Sequence, residues 1–193
     1  HPQIMKWDGA VMSEIGVLAG ITRVSTMAGF DDGSGSALYI GGVFQEIDGV
    51  PIRSLARWDG SQWSQVGEGI SSGSFVNVNS MTVWDDGAGP ALYIGGVLNG
   101  TTGNGVDLQR FGKWDGVSWS SAANMSGAVI QDFAADGQGP DAKLYMNGNF
   151  VMPIVYDGTD VSAVGTDEFN GAGFALPIDK SYDDALYYGG NFF

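Results

Sequence analysis

Residues 22 to 30, TRVSTMAGF, alternate apolar and polar positions with a period of about two and end at the turn-rich DDGSGS, after which further strand-like runs follow up to residue 67. Such a period belongs to strands, whose successive side chains point to opposite faces. Four strands are expected in this stretch: TRVSTMAGF (22–30), ALYIGGVF (37–44), SLARW (54–58) and SQWSQVG (61–67). Only Asp59-Gly60 separates the last two, and Asp-Gly favours a two-residue type I′ hairpin because both of its residues must take positive φ. That loop predicts Trp58 opposite Ser61 and Ala56 opposite Trp63, with both tryptophans on one face of the sheet. No helical stripe of useful length occurs, so the fold class is expected to be all-β.

The pattern recurs. SALYIGG at 36–42 returns as PALYIGG at 90–96, AKLYMNG at 142–148 and DALYYGG at 184–190. RWDG at 57–60 returns as KWDG at 113–116, VYDG at 155–158 and KWDG at 6–9. Self-similarity at ~40 to 50 residues marks a propeller or a solenoid. The chain opens on a third strand, QIMKW, with its fourth, AVMSEIG, and closes just after a second strand, ALYYGGNFF. Joining the ends gives GGNFFHPQIMKWDG, parallel to the continuous NGNFVMPIVYDG at 147–158. We therefore expect a single domain over 1–193: a β-propeller of four four-stranded repeats. The units are 21–69, 70–123, 124–165 and 166–193 plus 1–20, so that one blade is shared between the N- and C-termini. The alternative is that QIMKWDG of one molecule completes the ALYYGGNFF sheet of the next, giving a filament.

Composition narrows the setting. Glycine makes up 32 of 193 residues, more than twice the usual ~7%, and is expected to serve turns. With 8 basic and 22 acidic residues the formal net charge is −14, which repels phosphate backbones, so no nucleic-acid partner is expected. No run reaches the ~18 apolar residues of a membrane helix and no charged-then-apolar leader opens the chain, so no membrane insertion is expected. The chain has no Cys, which removes disulfides and thiolate metal sites.

The Gly-Gly doublet after LY, an aromatic closing the third strand and a tryptophan in the fourth together resemble a kelch repeat. The phrase LYIGGVF…IRSLARWDGSQWSQVGEGI is more similar still to repeats of the fungal cortical cell-polarity marker family, and to large secreted bacterial proteins built from LYxGG…ARWDG…W units. The resemblance is strong over 21–120 and fainter over 121–193, where Tyr156 replaces Trp and NG replaces GG. It implies a propeller of extracellular or cell-surface type used for binding or as a scaffold.

Candidate chemistry is sparse. The only His is His1, so neither a Ser-His pair nor a His-rich metal site can form within the chain. Gly33-Ser34-Gly35-Ser36 comes near a nucleophile-elbow motif but lacks its spacing and its helix. Asp31, Asp32, Asp85 and Asp86 bring hard oxygens together in the first turn of two units, the ligand type calcium prefers. Asp also opens turns, its carboxylate accepting a backbone N–H two residues on, and Asp136 and Asp179 recur at the same point. The connections that vary between units, QEIDGVPIRS and LNGTTGNGVDLQRFG, are where binding is expected on a rigid scaffold; their candidates are Glu46, Asp48, Asp107, Arg110 and an exposed aromatic, Phe111. Asn99-Gly100-Thr101 and Asn124-Met125-Ser126 are acceptor sequons in a eukaryotic secretory setting. The expected function is a non-catalytic extracellular binding or scaffold module with a protein or glycan partner. A self-assembling filament subunit and a carbohydrate-binding or carbohydrate-active propeller are the alternatives.

Overall fold

The computed structural model describes residues 2–20, 22–71, 76–125, 127–150, 153–164, 178–179 and 187–188. Among them every regular element is a strand. An N-terminal hairpin pairs β1 (Gln3–Trp7) with β2 (Met12–Ala19). The first complete sheet follows, β3 (Arg23–Asp31), β4 (Ser36–Val43), β6 (Leu55–Trp58) and β7 (Trp63–Gln65), in the order β3-β4-β6-β7. Its β4–β6 connection carries β5 (Glu46–Ile47), which pairs with the end of β2. After β8 (Ile70–Ser71) the second sheet is built the same way from β9 (Val76–Asp85), β10 (Pro90–Leu98), β12 (Phe111–Trp114) and β13 (Trp119–Ser121), with β11 (Thr101–Thr102) pairing back to β8. The third sheet is β14 (Ile130–Asp136), β15 (Lys143–Gly148), β16 (Ile154–Tyr156) and β17 (Val161–Ala163). A short pair, β18 (Ile178–Asp179) with β19 (Tyr187–Tyr188), lies against β14 and β15. The ladders are antiparallel throughout, as expected for an all-β repeat.

The first strands of successive sheets lie side by side, β3 against β9 and β9 against β14. The fourth sheet expected from the joined ends is not formed as one ladder among the described residues: β1-β2 extended by β5, and β18-β19, are separate sheets. Most of ALYYGGNFF, which would carry the ladder between them, lies outside the described residues.

Glycines such as Gly33, Gly60 and Gly87 take positive φ in turns, as expected, while the glycine doublet lies inside β4, β10 and, as Asn147-Gly148, at the end of β15. Its second member faces a bulge in the first strand, where Ser25, Asn79 and Gln131 are the extra residues. There a Cβ on Gly42 would stand 1.9 Å from the Arg23 carbonyl oxygen, and one on Gly96 2.1 Å from that of Asn77. Its first member faces the next sheet: a Cβ on Gly41 would stand 2.6 Å from Val78 Cγ1, and one on Gly95 2.6 Å from Ile130 Cγ2. The doublet thus sets both the bulge and the inter-sheet spacing.

The hairpin register differs from the expected one. Trp58 pairs directly with Trp63 and Ala56 with Gln65, because the Asp59 carboxylate accepts the N–H groups of both Ser61 (2.8 Å) and Gln62 (2.9 Å) and widens the loop to four residues. A shift of two preserves the face, so the tryptophans still lie together, their rings 5.1 Å apart. Trp114 and Trp119 repeat the pair at 5.3 Å.

Core residues gather between sheets. Tyr39, Leu55, Val78, Leu92 and Trp119 join the first sheet to the second, while Trp84, Tyr93, Phe111, Phe133 and Tyr156 join the second to the third. Trp119 Nε1 donates across the first of these seams to the Val66 carbonyl at 3.2 Å, and Trp63 Nε1 donates to the Ile15 carbonyl of β2, joining the first sheet to the N-terminal hairpin. Replacing Gly42 by Ala should cost about 3 kcal/mol, as overpacking against fixed backbone does. Gly29→Ala, with nothing within 4 Å of its would-be Cβ, should stay within about 0.5 kcal/mol of wild type. Urea unfolding of the two variants checks the contrast.

Candidate functional site

The turn that ends the first strand builds the same polar cluster in two sheets. In the first, Asp31 Oδ1 accepts the N–H groups of Gly33 (3.0 Å) and Gly35 (3.1 Å), which fixes the loop. Asp32 then turns inward, accepting the Tyr39 hydroxyl at 2.8 Å and Arg57 Nε at 2.9 Å, while Arg57 Nη2 also donates to Ser34 Oγ. In the second sheet Asp85 caps Gly87 and Gly89, and Asp86 accepts the Tyr93 hydroxyl at 2.8 Å and pairs with Lys113. Tyr39 is opposite Arg57 and Tyr93 opposite Lys113 in the ladders, so the β-sheet register itself delivers phenol and cation to one carboxylate. In the third sheet Val155 stands at that position, opposite Tyr145.

Burial works against ionisation of Asp32, but the Ser34 and Tyr39 hydroxyls, the Ser34 N–H and the Arg57 charge outweigh it and hold the carboxyl at about 2. Asp86 is likewise held low against its burial, chiefly by Lys113. Burial, and then the adjacent Asp32 or Asp86, push the Tyr39 and Tyr93 phenols far above their ordinary range. Burial and the charges of Asp86 and Asp157 bring Tyr156 to about 12. Acid and phenol are thus driven apart, away from the neutral range in which a general acid or base works.

Calcium takes ~6 to 8 oxygens; here one oxygen each of Asp31 and Asp85 accepts backbone N–H groups, and Asp32 and Asp86 accept hydroxyl, guanidinium or ammonium donors. Among the described residues no three potential ligands cluster. Each acidic turn is instead a bearing for the next sheet: a Cβ on Gly116 would stand 2.5 Å from the Asp32 carbonyl oxygen, and one on Gly158 3.1 Å from Asp86 Cβ. Between the second and third sheets this packing leaves a cavity of about 640 Å³ lined by Asp86, Asp141, Lys143, Asp157 and Thr159.

The loop candidates fall into two groups. Glu46 lies in β5 and pairs with Ala19, and Asp48, at φ 52°, accepts the Val17 N–H at 2.8 Å and donates its own to the Val17 carbonyl at 2.9 Å. Both serve a clamp between the loop and the preceding unit. Asp107 and Arg110 line a separate cavity of about 300 Å³ beside Asn99 and Gln109. Phe111 must be corrected: it is fully buried, not an exposed loop ring, packing on Tyr93, Phe133 and Tyr156. It opens β12 opposite Gly95 just as Leu55 opens β6 opposite Gly41, and aligning the two units on LYIGG would have placed it inside.

Sequence reasoning missed one surface. Trp7 is 59% and Met12 56% exposed, yet they pair as Trp58 pairs with Trp63 and Trp114 with Trp119. Met5 is also exposed, and a cleft of about 380 Å³ opens beside β1, lined by Met5, Lys6, Ile15, Ala37, Leu38 and Trp58. The signal was available in the alignment, because KWDG at 6–9 has the same neighbours-to-be as RWDG at 57–60. Comparison with protein-family models, with curated proteins and with solved structures finds no match for this chain.

Because Asp32 titrates at about 2 when folded and near ~3.9 when unfolded, its contribution is present above pH ~4 and lost as pH falls through about 2. A shift of that size corresponds to about 2 kcal/mol. Urea unfolding between pH 5 and pH 2 should therefore show a steeper acid loss for wild type than for Asp32→Asn; equal slopes would contradict the assignment.

Proposed function

We propose that this chain is a non-catalytic, extracellular or cell-surface binding and scaffold module of the propeller type, in which β18-β19 and β1-β2 are the two halves of one shared sheet. The observation that carries this reading is the recurrence of the same polar groups at the same register in successive sheets, with the carboxyls held low and the phenols high. Groups that repeat with the architecture and do not titrate near neutrality act as struts. The partly buried charges Arg57 and Lys113 are each neutralised by an aspartate of their own sheet, which supports a structural part for them as well.

The extracellular placement is supported by the likeness of LYxGG…RWDG…W to kelch-type and secreted surface repeats, and by a formal net charge of −14 that suits a solvated surface. The shared sheet is supported by the hairpin, which presents the face that each following sheet uses to grip its predecessor. Protein surfaces and glycans are the partner classes this reading allows.

Incubating the chain with a panel of extracellular polysaccharides, while following both retention on the polymer and release of reducing ends, tests the reading. Retention without product is expected. Turnover above background on any member would overturn it.

A further inference from the structure

The connection between β10 and β12 carries an arginine that the architecture does not use. Arg110 stands just ahead of Phe111, the place that Ser54 takes ahead of Leu55 in the first sheet. Both residues lie in the left-handed region, Ser54 at φ 61° and Arg110 at φ 78°, so the fold asks for that backbone at this point and not for one side chain. Ser54 is buried and donates its hydroxyl to the Val76 carbonyl at 3.0 Å. Arg110 is half-buried, and its guanidinium makes neither an ion pair nor a hydrogen bond among the described residues. Arg57 and Lys113, also partly buried, are each matched by an aspartate.

Arg110 lines the cavity of about 300 Å³ together with Asn99, Asp107 and Gln109. Backbone bonds fix this lining: Asp107 Oδ1 accepts the Gln109 N–H at 3.0 Å, and the Gln109 carbonyl accepts the Met125 N–H at 3.1 Å. Gln109 is itself left-handed, at φ 48°, a backbone that residues other than glycine keep only where the surroundings hold it. The second Asp107 oxygen and the side-chain amides of Asn99 and Gln109 have no partner among the described residues. The cavity therefore offers one cationic fork, two amides that both donate and accept, and one carboxylate oxygen that only accepts.

That set defines its ligand. A guanidinium takes a carboxylate through two parallel bonds, while Asp107 needs a hydroxyl donor beside it. An acidic side chain would meet Arg110 but be repelled by Asp107, and a neutral sugar would satisfy Asp107 but leave the cation uncompensated. A sugar acid carries both groups on one ring, and a cavity at the lower end of the ~300 to 1,000 Å³ usual for ligand sites suits a single ring. We propose that Arg110, Asp107, Asn99 and Gln109 form a subsite for one uronic-acid residue of an acidic polysaccharide, with Arg110 on the carboxylate and Asp107 on a ring hydroxyl. The inference rests on the binding-module reading above and deepens it by naming the glycan. The formal net charge of −14 repels a polyanion at long range, but physiological salt screens charges more than ~8 Å apart, so the contact at this fork decides.

The chain is produced in a bacterial host, so that the Asn99 acceptor stays unmodified, and titrated calorimetrically at physiological salt. The probes are oligogalacturonate, oligoglucuronate, a neutral galactose oligomer of the same length and poly-glutamate. Binding of at least one uronate is expected, with the neutral oligomer and poly-glutamate about tenfold weaker or more. Arg110→Ser installs the residue that the first unit has at this position, so it should keep the melting temperature and lose about tenfold in uronate affinity. Arg110→Lys, a charge without the fork, should fall between the two. Binding of neither uronate, equal binding by Arg110→Ser, or equal affinity for poly-glutamate would overturn the subsite. A neutral oligomer held equally by wild type and Arg110→Ser would remove the subsite and leave the binding-module reading standing, whereas release of reducing ends from any oligomer would remove that reading.

Discussion

Adjacent sheets of this protein touch where they carry no side chain. At Gly41 and at Gly95 the neighbouring first strand comes so near that a single methyl group would stand 2.6 Å from Val78 or Ile130. That approach lets the sheets lie face to face with aromatic residues filling the flanks, Tyr39 and Trp119 at one seam, Trp84, Phe111 and Tyr156 at the next. A four-stranded sheet that is apolar on both faces has no stability by itself, so packing between neighbours is the source of the fold, as in other repeat proteins. The bulge opposite the second glycine follows from the same need, because it bends each first strand toward its neighbour.

Polar groups refine this arrangement instead of opposing it. The inward carboxylates Asp32 and Asp86 take up a phenol and a cation that the ladder register places beside them, which removes the cost of burying an unpaired charge. The outward carboxylates Asp31 and Asp85 close the loops that the hairpin glycines of the following sheet rest upon. Even the variable connections contribute, since Asp48 and β5 bind the tail of β2, and β11 binds β8. Loops that differ in sequence thus share the task of holding one unit to the one before it.

Much of this was legible from the residues. Alternation located the strands of the first sheet to within about two residues, and the recurrence of LYIGG and RWDG predicted the meander order that the second and third sheets repeat. The purpose of the glycine doublet was not legible, because its two close contacts come from a bulge and from another sheet, neither of which local sequence encodes. The hairpin register failed for a related reason: Asp-Gly suggested the shortest loop, while the Asp59 side chain captured two N–H groups and lengthened it. The acidic turns were visible as clusters, but only register shows that Arg57 and Lys113 meet them. Phe111 was read as a loop residue since it follows a long irregular connection, although its repeat position marks it as core.

The decisive quantity is the strength of the seam between neighbouring sheets, and two tryptophans of one pair isolate it. Trp119 and Trp114 are almost equally buried, at 4% and 5% exposure, but only Trp119 donates across the seam, to Val66, while the Trp114 indole N–H has no acceptor. Both should lose similar packing on replacement by Phe, so their difference reports the inter-sheet bond and the carbonyl it leaves orphaned. Denaturant unfolding should find Trp119→Phe less stable than Trp114→Phe by about 1 to 2 kcal/mol. Equal losses, or a larger loss for Trp114→Phe, would contradict a fold held together at its seams.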